Sequence, residues 1–226
     1  MNHSRRLLIL CAGILAALII TACTGQGTAV PAGNGSSSGR TAAEWQAVIM
    51  ESYRLQNKQP WRYDSITTPE GGQQAPTTIE FVPPDRYRIR SMPGRDLVIV
   101  GEEVFVQNGQ QWSRWDISAD SIINPDSASV LEKSISSVQC ASPETLDGKT
   151  VHACQYDSVT NIGGSDMPIH TKMWIDAASG LPYKIDIDGY VGSMDAQTGK
   201  VSAVKAKSSL IYFFDASITI EKPEVK

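Results

Sequence analysis

Four cysteines carry the clearest chemistry in this chain of 226 residues. A cysteine thiol can form a disulfide, bind a metal, act as a nucleophile or accept a covalent attachment. Cys140 and Cys154 do not form a Cys-x-x-Cys motif, and a turn signal from Thr145 to Lys149 lies between them. A hairpin with a three-residue loop at 146–148 would place the two thiols opposite each other on neighbouring strands. This spacing favours a structural disulfide between Cys140 and Cys154 over a redox-active pair.

Cys23 lies at the end of a segment with the pattern of a secretory signal. Two arginines precede an apolar run from Leu7 to Ile20, which is shorter than the ~20 residues that a membrane-spanning helix needs. The sequence Ile20-Thr21-Ala22-Cys23 is similar to the lipobox of bacterial lipoproteins, in which the cysteine receives diacylglycerol. The resemblance implies a signal peptide at 1–22 and a lipid attachment site at Cys23. The alternative is an ordinary secretory signal followed by an incidental cysteine.

A flexible tether is predicted after the anchor, because residues 24–39 are rich in Gly, Ser, Thr and Ala and carry no charge. We therefore divide the chain into a signal peptide at 1–22, the anchor cysteine and tether at 23–39, and one folded domain at 40–226. The expected location is extracytoplasmic and lipid-anchored. In a two-membrane cell this means the outer membrane, and in a one-membrane cell the outer face of the plasma membrane.

The charge balance argues against nucleic acid as a partner. The formal net charge is −4, and it becomes −6 when residues 1–22 are removed, because that segment holds two arginines and no acidic residue. Binding to nucleic acid depends on neutralising phosphates with Lys and Arg. The chain also lacks a polybasic segment that would draw it onto anionic lipid.

The sequence contains few candidate catalytic residues. Only His152 and His170 remain after the signal peptide is removed, and neither lies in a zinc-binding spacing. The sequence contains no Gly-x-Ser-x-Gly elbow and no phosphate-binding Gly-x-x-x-x-Gly-Lys loop. We predict no enzyme activity, no metal and no cofactor. A hydrolase that depends on one of these histidines is the least favoured interpretation.

The pattern of apolar residues predicts an antiparallel α+β domain. Thr41 and Glu44 match a capping box at the start of a helix that reaches Leu55, and a second helix is predicted at 126–138. The other segments alternate as strands do. They are predicted at 77–82, 85–91, 96–100, 103–106, 111–116, 138–142, 149–160, 169–176, 182–190 and 208–221. Strands joined by short turns, with the helices set apart, are typical of α+β folds.

Strand alternation places twelve apolar residues on one face of this sheet. They are Ile79, Phe81, Tyr87, Ile89, Met173, Ile175, Tyr183, Ile185, Ile187, Leu210, Tyr212 and Phe214. In a compact domain these side chains pack against the two helices as an ordinary core. In an open, curved sheet the same residues would line a cavity for an apolar ligand.

A row of three arginines lies on the opposite face of one strand. Arg86, Arg88 and Arg90 alternate with Tyr87 and Ile89. The simplest interpretation is a solvated outer face. The alternative is a docking patch for an acidic protein partner or a lipid headgroup.

Several motifs resemble proteins related to the periplasmic lipoprotein carrier LolA. Residues 80–88 (EFVPPDRYR) are similar to an F-x-x-P-D-R-x-R segment of that group. Residues 98–106, 172–184 and 212–223 resemble its later strands. The resemblance implies an unclosed antiparallel β-barrel wrapped around two or three helices, with a hydrophobic cavity for acyl chains and no catalytic residues.

The anchor at Cys23 separates this chain from the soluble carriers that it resembles. We therefore expect a membrane-anchored lipoprotein that binds a lipid or an acylated lipoprotein for handling or transfer. The alternative is an envelope sensor that uses the same fold to regulate a protein partner.

Overall fold

The computed structural model describes residues 39–92, 95–123, 127–162, 164–194 and 201–225. The helices are α1 (Ala42–Gln56) and α2 (Ser127–Ser134), with a short 3-10 turn at Ala119–Ser121. The first strands are β1 (Trp61–Pro69), β2 (Ala75–Val82), β3 (Arg86–Met92), β4 (Arg95–Val100), β5 (Glu103–Asn108) and β6 (Gln111–Trp115). The others are β7 (Ser136–Cys140), β8 (Glu144–Leu146), β9 (Lys149–Ile162), β10 (Ser165–Asp176), β11 (Pro182–Met194) and β12 (Val201–Phe214).

Helix α1 begins at the predicted capping box. The Thr41 hydroxyl accepts the backbone N–H of Glu44 at 3.3 Å, and the Glu44 carboxylate accepts the backbone N–H of Thr41 at 2.6 Å. These two bonds satisfy donors that the first turn of a helix leaves free. They fix where α1 starts and therefore which of its residues face the sheet.

All twelve strands belong to one antiparallel sheet. Its order is β6-β5-β4-β3-β2-β1-β12-β11-β10-β9-β7, with β8 paired to β9. The edge strands β6 and β7 are not paired with each other in the part of the chain that the structure describes. The sheet is nevertheless strongly curved, because Cα atoms of β9 and β12 approach within 8 Å although two strands separate them. The predicted α+β fold with an unclosed antiparallel barrel is confirmed.

Two predicted elements end earlier than expected. Helix α2 stops at Ser134, whose hydroxyl donates back to the carbonyls of Val130 and Leu131, and strand β7 follows at once. The last strand ends at Phe214, although alternation predicted it to reach residue 221. There the Asp215 carboxylate accepts the backbone N–H of Ser217, which turns the chain out of the sheet.

Beyond that turn, the C-terminal segment crosses the sheet on the side away from the helices. Ile220 is buried there against Val98 and Phe105. The Ile220 carbonyl accepts a hydrogen bond from Arg86 at 2.9 Å, and Lys222 pairs with Glu103. Alternation along the predicted strand 208–221 would place Ile220 on the same face as Leu210, and that placement is wrong.

The hairpin between the paired cysteines has a tighter turn than predicted. Leu146 pairs with Lys149, so the loop is the two residues Asp147 and Gly148, which have φ values of 50° and 77°. Positive φ at both positions is typical of a type I′ turn. Cys140 and Cys154 lie directly opposite each other on β7 and β9 and form a disulfide, as predicted.

None of the helices among the described residues is long and apolar enough to cross a membrane.

Candidate functional site

The concave face of the sheet, here called the inner face, carries most of the predicted apolar residues. Ten of the twelve pack in one cluster, together with Trp45 and Ile49 of α1. They are Ile79, Phe81, Tyr87, Met173, Ile175, Ile185, Ile187, Leu210, Tyr212 and Phe214. The strand register brings them together, because Leu210 pairs with Ile185 and Ile185 pairs with Met173. In this structure these residues form a packed core.

Ile89 lies on the inner face but outside that cluster. It pairs with Ile79 on β2 and with Leu97 on β4, and it is half-buried. The cluster centres on β1, β2 and β9–β12, so Ile89 extends the apolar surface towards the β4 side of the sheet.

Tyr183 does not join the inner face. The register between β10 and β11 shifts after Trp174, so that Pro182 pairs with Ile175 and Tyr183 has no partner opposite it. This bulge turns the ring outwards onto Trp174, where the hydroxyl donates to Asp147 at 2.8 Å. Strand alternation alone could not predict the bulge, and Tyr183 is therefore not a cavity residue.

Six aromatic side chains form the central part of the inner face, here called the aromatic cluster. They are Trp61, Tyr63, Phe81, Tyr87, Tyr212 and Phe214, with neighbouring ring centroids between 4.7 and 6.2 Å apart. Two of them, Trp61 and Tyr63, lie on β1, which the sequence analysis missed. The alternation in Trp61-Arg62-Tyr63-Asp64-Ser65 after Pro60 was the signal that indicated this strand.

The helices cover only part of this face. Helix α1 lies against β7 and β11, and α2 lies against β9. The side of α1 that faces the sheet is apolar in its first half, at Trp45 and Ile49, and polar in its second half, at Ser52 and Gln56. All four side chains are buried. Helix α2 contributes less, since none of its side chains from 128 to 134 is fully buried.

Buried tyrosines supply hydrogen bonds to the interior. The hydroxyls of Tyr53 and Tyr156 are 2.8 Å apart and share a hydrogen bond. Burial raises the pKa of Tyr156 to about 12 and the pKa values of Tyr53 and Tyr212 well above their ordinary range. These phenols therefore keep their protons at physiological pH and act as neutral hydrogen-bonding groups.

The other buried polar side chains are uncharged. Those among the described residues are Ser52, Gln56, Ser65, Thr67, Thr77, Ser158, Thr160 and Thr171. Several of them form hydrogen bonds between neighbouring strands. The Ser65 hydroxyl donates to the Thr77 carbonyl, and the hydroxyls of Thr67 and Ser208 are 2.9 Å apart. An apolar ligand would thus meet an interior that holds hydroxyls and amides but no buried ionised group in the described residues.

The arginine row lies on the outer face, as alternation predicted, and its members bind within the chain. Glu80 pairs with Arg88 at 3.7 Å and with Arg90 at 3.2 Å. Arg90 also pairs with Asp96, while Arg86 donates to the Ile220 carbonyl. The docking patch stays a prediction, and it would have to compete with these intramolecular bonds.

The outer face has two adjoining depressions that sequence analysis did not indicate. One is about 850 Å³ and lined largely by polar and charged residues of β9–β12, and the other is about 500 Å³ between β1–β4 and β12. They share Ile66 and Ser209. Near them Ile66, Ile211 and Phe213 are 40–50% exposed. The Arg62 guanidinium lies over the Phe213 ring, 4.7 Å from its centroid.

The two histidines lie apart. The His152 ring packs on the Trp45 ring with centroids 5.0 Å apart, and desolvation lowers its pKa. His170 pairs with Asp157 on the outer face, where its side chain is 69% exposed. The described residues include no group of three or more His, Cys, Asp or Glu side chains placed to hold a metal ion.

Cys23 and the predicted signal peptide at 1–22 lie outside the described residues, as does nearly all of the tether. Their roles stay predictions.

No protein-family model matches this chain, and no curated protein matches it. Among solved structures, it is similar to the lipoprotein LppX of Mycobacterium tuberculosis, with 15% identity and a TM-score of 0.48 over 80% of this chain and 100% of LppX. It is also similar to LprF of Mycobacterium bovis, with 14% identity and a TM-score of 0.44 over 84% of this chain and 99% of LprF. A LolA superfamily protein of Nitrosomonas europaea has 11% identity and a TM-score of 0.30, over 74% of this chain and 90% of that protein.

Proposed function

We propose that this chain is a bacterial envelope lipoprotein, anchored through Cys23, that binds an acyl chain of a lipid or of an acylated protein against the inner face of its sheet. The supporting observation is that ten predicted apolar residues from both halves of the sheet share one curved, inward surface. The polar groups buried beside them are uncharged. Such a surface suits a long apolar ligand, and the residues buried beside it in the described part of the chain include none that is ionised.

Burial supplies the binding energy in this proposal. Each methylene group that leaves water contributes about 0.8 kcal/mol, so a long acyl chain needs no covalent bond to be held. The guest must displace side chains that now pack together. Displacing helix α2 would cost the least free energy, because its described side chains are at most partly buried. It is linked to α1 by an exposed ion pair between Arg54 and Glu132 at 3.5 Å, which contributes little to stability.

The anchor restricts what the domain does with its guest. A domain tethered by 23–39 loads or presents lipid near one membrane surface, whereas a free carrier crosses the space between two membranes. Handling or local transfer of lipid is therefore the proposed role.

The test uses the whole mature chain with Cys23→Ser, so that its own acyl chains do not occupy the site. Native mass spectrometry after expression in a bacterial envelope is expected to detect a co-purified lipid, and a fluorescent acyl probe is expected to bind. Two neighbouring residues on β12 give a matched pair of variants. Leu210→Ala on the inner face is expected to weaken probe binding, and Ile211→Ala on the outer face is expected to leave it unchanged. A folded chain that carries no lipid and binds no acyl probe contradicts the proposal.

A further inference from the structure

Four buried polar atoms in the stretch from α1 into β1 have no hydrogen-bond partner among the described residues. One of them, Nε of Arg62, belongs to a side chain on the outer face, over the Phe213 ring, and the other three belong to residues of the inner side. These three are the Ser52 hydroxyl, the Gln56 side-chain carbonyl and the Trp61 indole N–H. The three residues are 1%, 6% and 6% exposed. A buried polar group without a partner costs roughly 1–3 kcal/mol, so three of them in one short stretch of chain call for an explanation.

Two of these residues border the aromatic cluster at the same tyrosine. The Gln56 side chain lies beside the Tyr212 hydroxyl, where it lowers the pKa of Tyr212 against the larger effect of burial, and the Trp61 ring centroid lies 5.8 Å from that of Tyr212. Ser52 lies one helical turn before Gln56 on the same side of α1. Gln56 and Trp61 therefore border the proposed ligand surface at Tyr212, and Ser52 lies one turn away along α1. We call Ser52, Gln56 and Trp61 the polar spot.

The chemistry of the polar spot is complementary to an uncharged group. The indole N–H donates, the amide oxygen accepts, and the serine hydroxyl does either. An ionised carboxylate or phosphate buried here would need a cation, and the buried polar residues of the described chain are all neutral. An ester carbonyl or a hydroxyl needs only the bonds that this spot offers.

We propose that Trp61 and Gln56, with Ser52 beside them, bind the uncharged polar group of an acylated ligand, so that the protein selects neutral acyl esters over ionised fatty acids. This inference rests on the proposed function. The inference also gives the orientation of the ligand, with its ester group at the end of α1 and its acyl chain along the inner face.

The test measures displacement of a bound fluorescent acyl probe from the whole mature chain carrying Cys23→Ser. Three twelve-carbon competitors are compared: dodecane, monolauroylglycerol and laurate at pH 8. The wild-type polar spot is expected to bind the ester about 3- to 10-fold more tightly than the hydrocarbon, the range of one or two neutral hydrogen bonds. Laurate is expected to bind more weakly than the ester.

Trp61→Phe keeps an aromatic ring and removes the N–H, so it is expected to reduce the preference for the ester to less than twofold without weakening dodecane. Phe81→Leu is the matched control: it changes the same cluster without changing a polar atom, and it is expected to lower both affinities equally. If Trp61→Phe keeps the full preference, ordered water alone satisfies these atoms and the inference is wrong. If wild type binds dodecane and the ester equally, the inference fails while the proposed function stands. If no competitor and no probe binds, the proposed function itself fails.

Discussion

Leu210 and Ile211 are adjacent on β12 and face opposite sides of the sheet, with exposures of 9% and 40%. Leu210 pairs with Ser65 and Ile185 inside the barrel, and Ile211 borders an outer depression. We expect Leu210→Ala to lower the free energy of unfolding by about 2–5 kcal/mol and Ile211→Ala to change it by about 0.5 kcal/mol or less. Urea denaturation followed by tryptophan fluorescence measures both. Equal effects would show that the inner face is not the core.

The Cys140–Cys154 disulfide is expected to stabilise the fold, because it restricts the unfolded chain. The closed loop of about 15 residues corresponds to about 3 kcal/mol in the chain-entropy model. Cys140→Ser with Cys154→Ser is expected to lower the midpoint of denaturation, and dithiothreitol is expected to have the same effect on the wild type. Cys23→Ser is the control and should leave the midpoint unchanged. An unchanged midpoint in the double variant would contradict a structural role.

Acylation at Cys23 can be tested by mass spectrometry of the N-terminal peptide. The mature N-terminal peptide is expected to begin at Cys23 and to carry a diacylglyceryl group, so the protein should partition with membranes. Cys23→Ser is expected to abolish both the mass increase and the membrane partitioning. Cys11→Ser is the matched control, since that cysteine lies in the predicted signal peptide at 1–22. A mature chain that begins elsewhere and lacks the lipid would favour the ordinary secretory signal.

The buried tyrosines predict alkaline unfolding. In an unfolded chain a tyrosine titrates near pH 10, whereas burial raises the pKa of Tyr156 to about 12. Between these values the folded state retains a proton that the unfolded chain loses, so stability is intact below pH 10 and falls as pH rises towards 12. Absorbance at 295 nm should therefore show a group of tyrosines that ionise only as the fold is lost. Ionisation of every tyrosine near pH 10 in a protein that is still folded would contradict this.

The ion pairs of Glu80 with the arginine row allow a test of whether these arginines stabilise the fold or bind a partner. The Glu80 side chain is 14% exposed and holds both Arg88 and Arg90. Arg90→Ala is expected to lower the free energy of unfolding by about 1 kcal/mol, because it removes the partly buried ion pairs with Glu80 and Asp96. Arg114→Ala, at a side chain that is 66% exposed, is expected to have no measurable effect. An Arg90 variant that is as stable as wild type but loses a crosslinked envelope protein would favour the docking patch.

Sequence patterns predicted which face of the sheet a residue occupies better than they predicted where a strand bulges or ends. Phe81 and Leu210 were placed correctly because alternation has a fixed period and one side of the sheet is buried. Tyr183 was misplaced because one bulge after Trp174 reverses the direction of a single side chain. Ile220 was misplaced because a local bond from Asp215 ends β12 without any break in the apolar pattern.

The polar spot was out of reach of sequence analysis for a different reason. Helical spacing with Trp45 and Ile49 places Ser52 on the side of α1 that faces a core. A serine and a glutamine near the end of a helix are nevertheless usually solvated, so the pattern does not predict that Ser52 and Gln56 are almost fully buried. Their position depends on the packing of α1 against strands that come much later in the chain, including β7 and β11.

Strands β1 and β12 are the first and last strands of the domain, and they pair at the middle of the sheet, with Trp61 opposite Phe214. Each half of the sheet is otherwise built from neighbouring segments of chain. The seam between the halves closes a very long loop, and such non-local pairing is slow. The predicted signal peptide would export the chain from its amino terminus, and such a chain could not complete this seam until its last strand had crossed the membrane. If the predicted signal peptide at 1–22 directs export, the inner face forms only after translocation, at the surface where the proposed ligand is found.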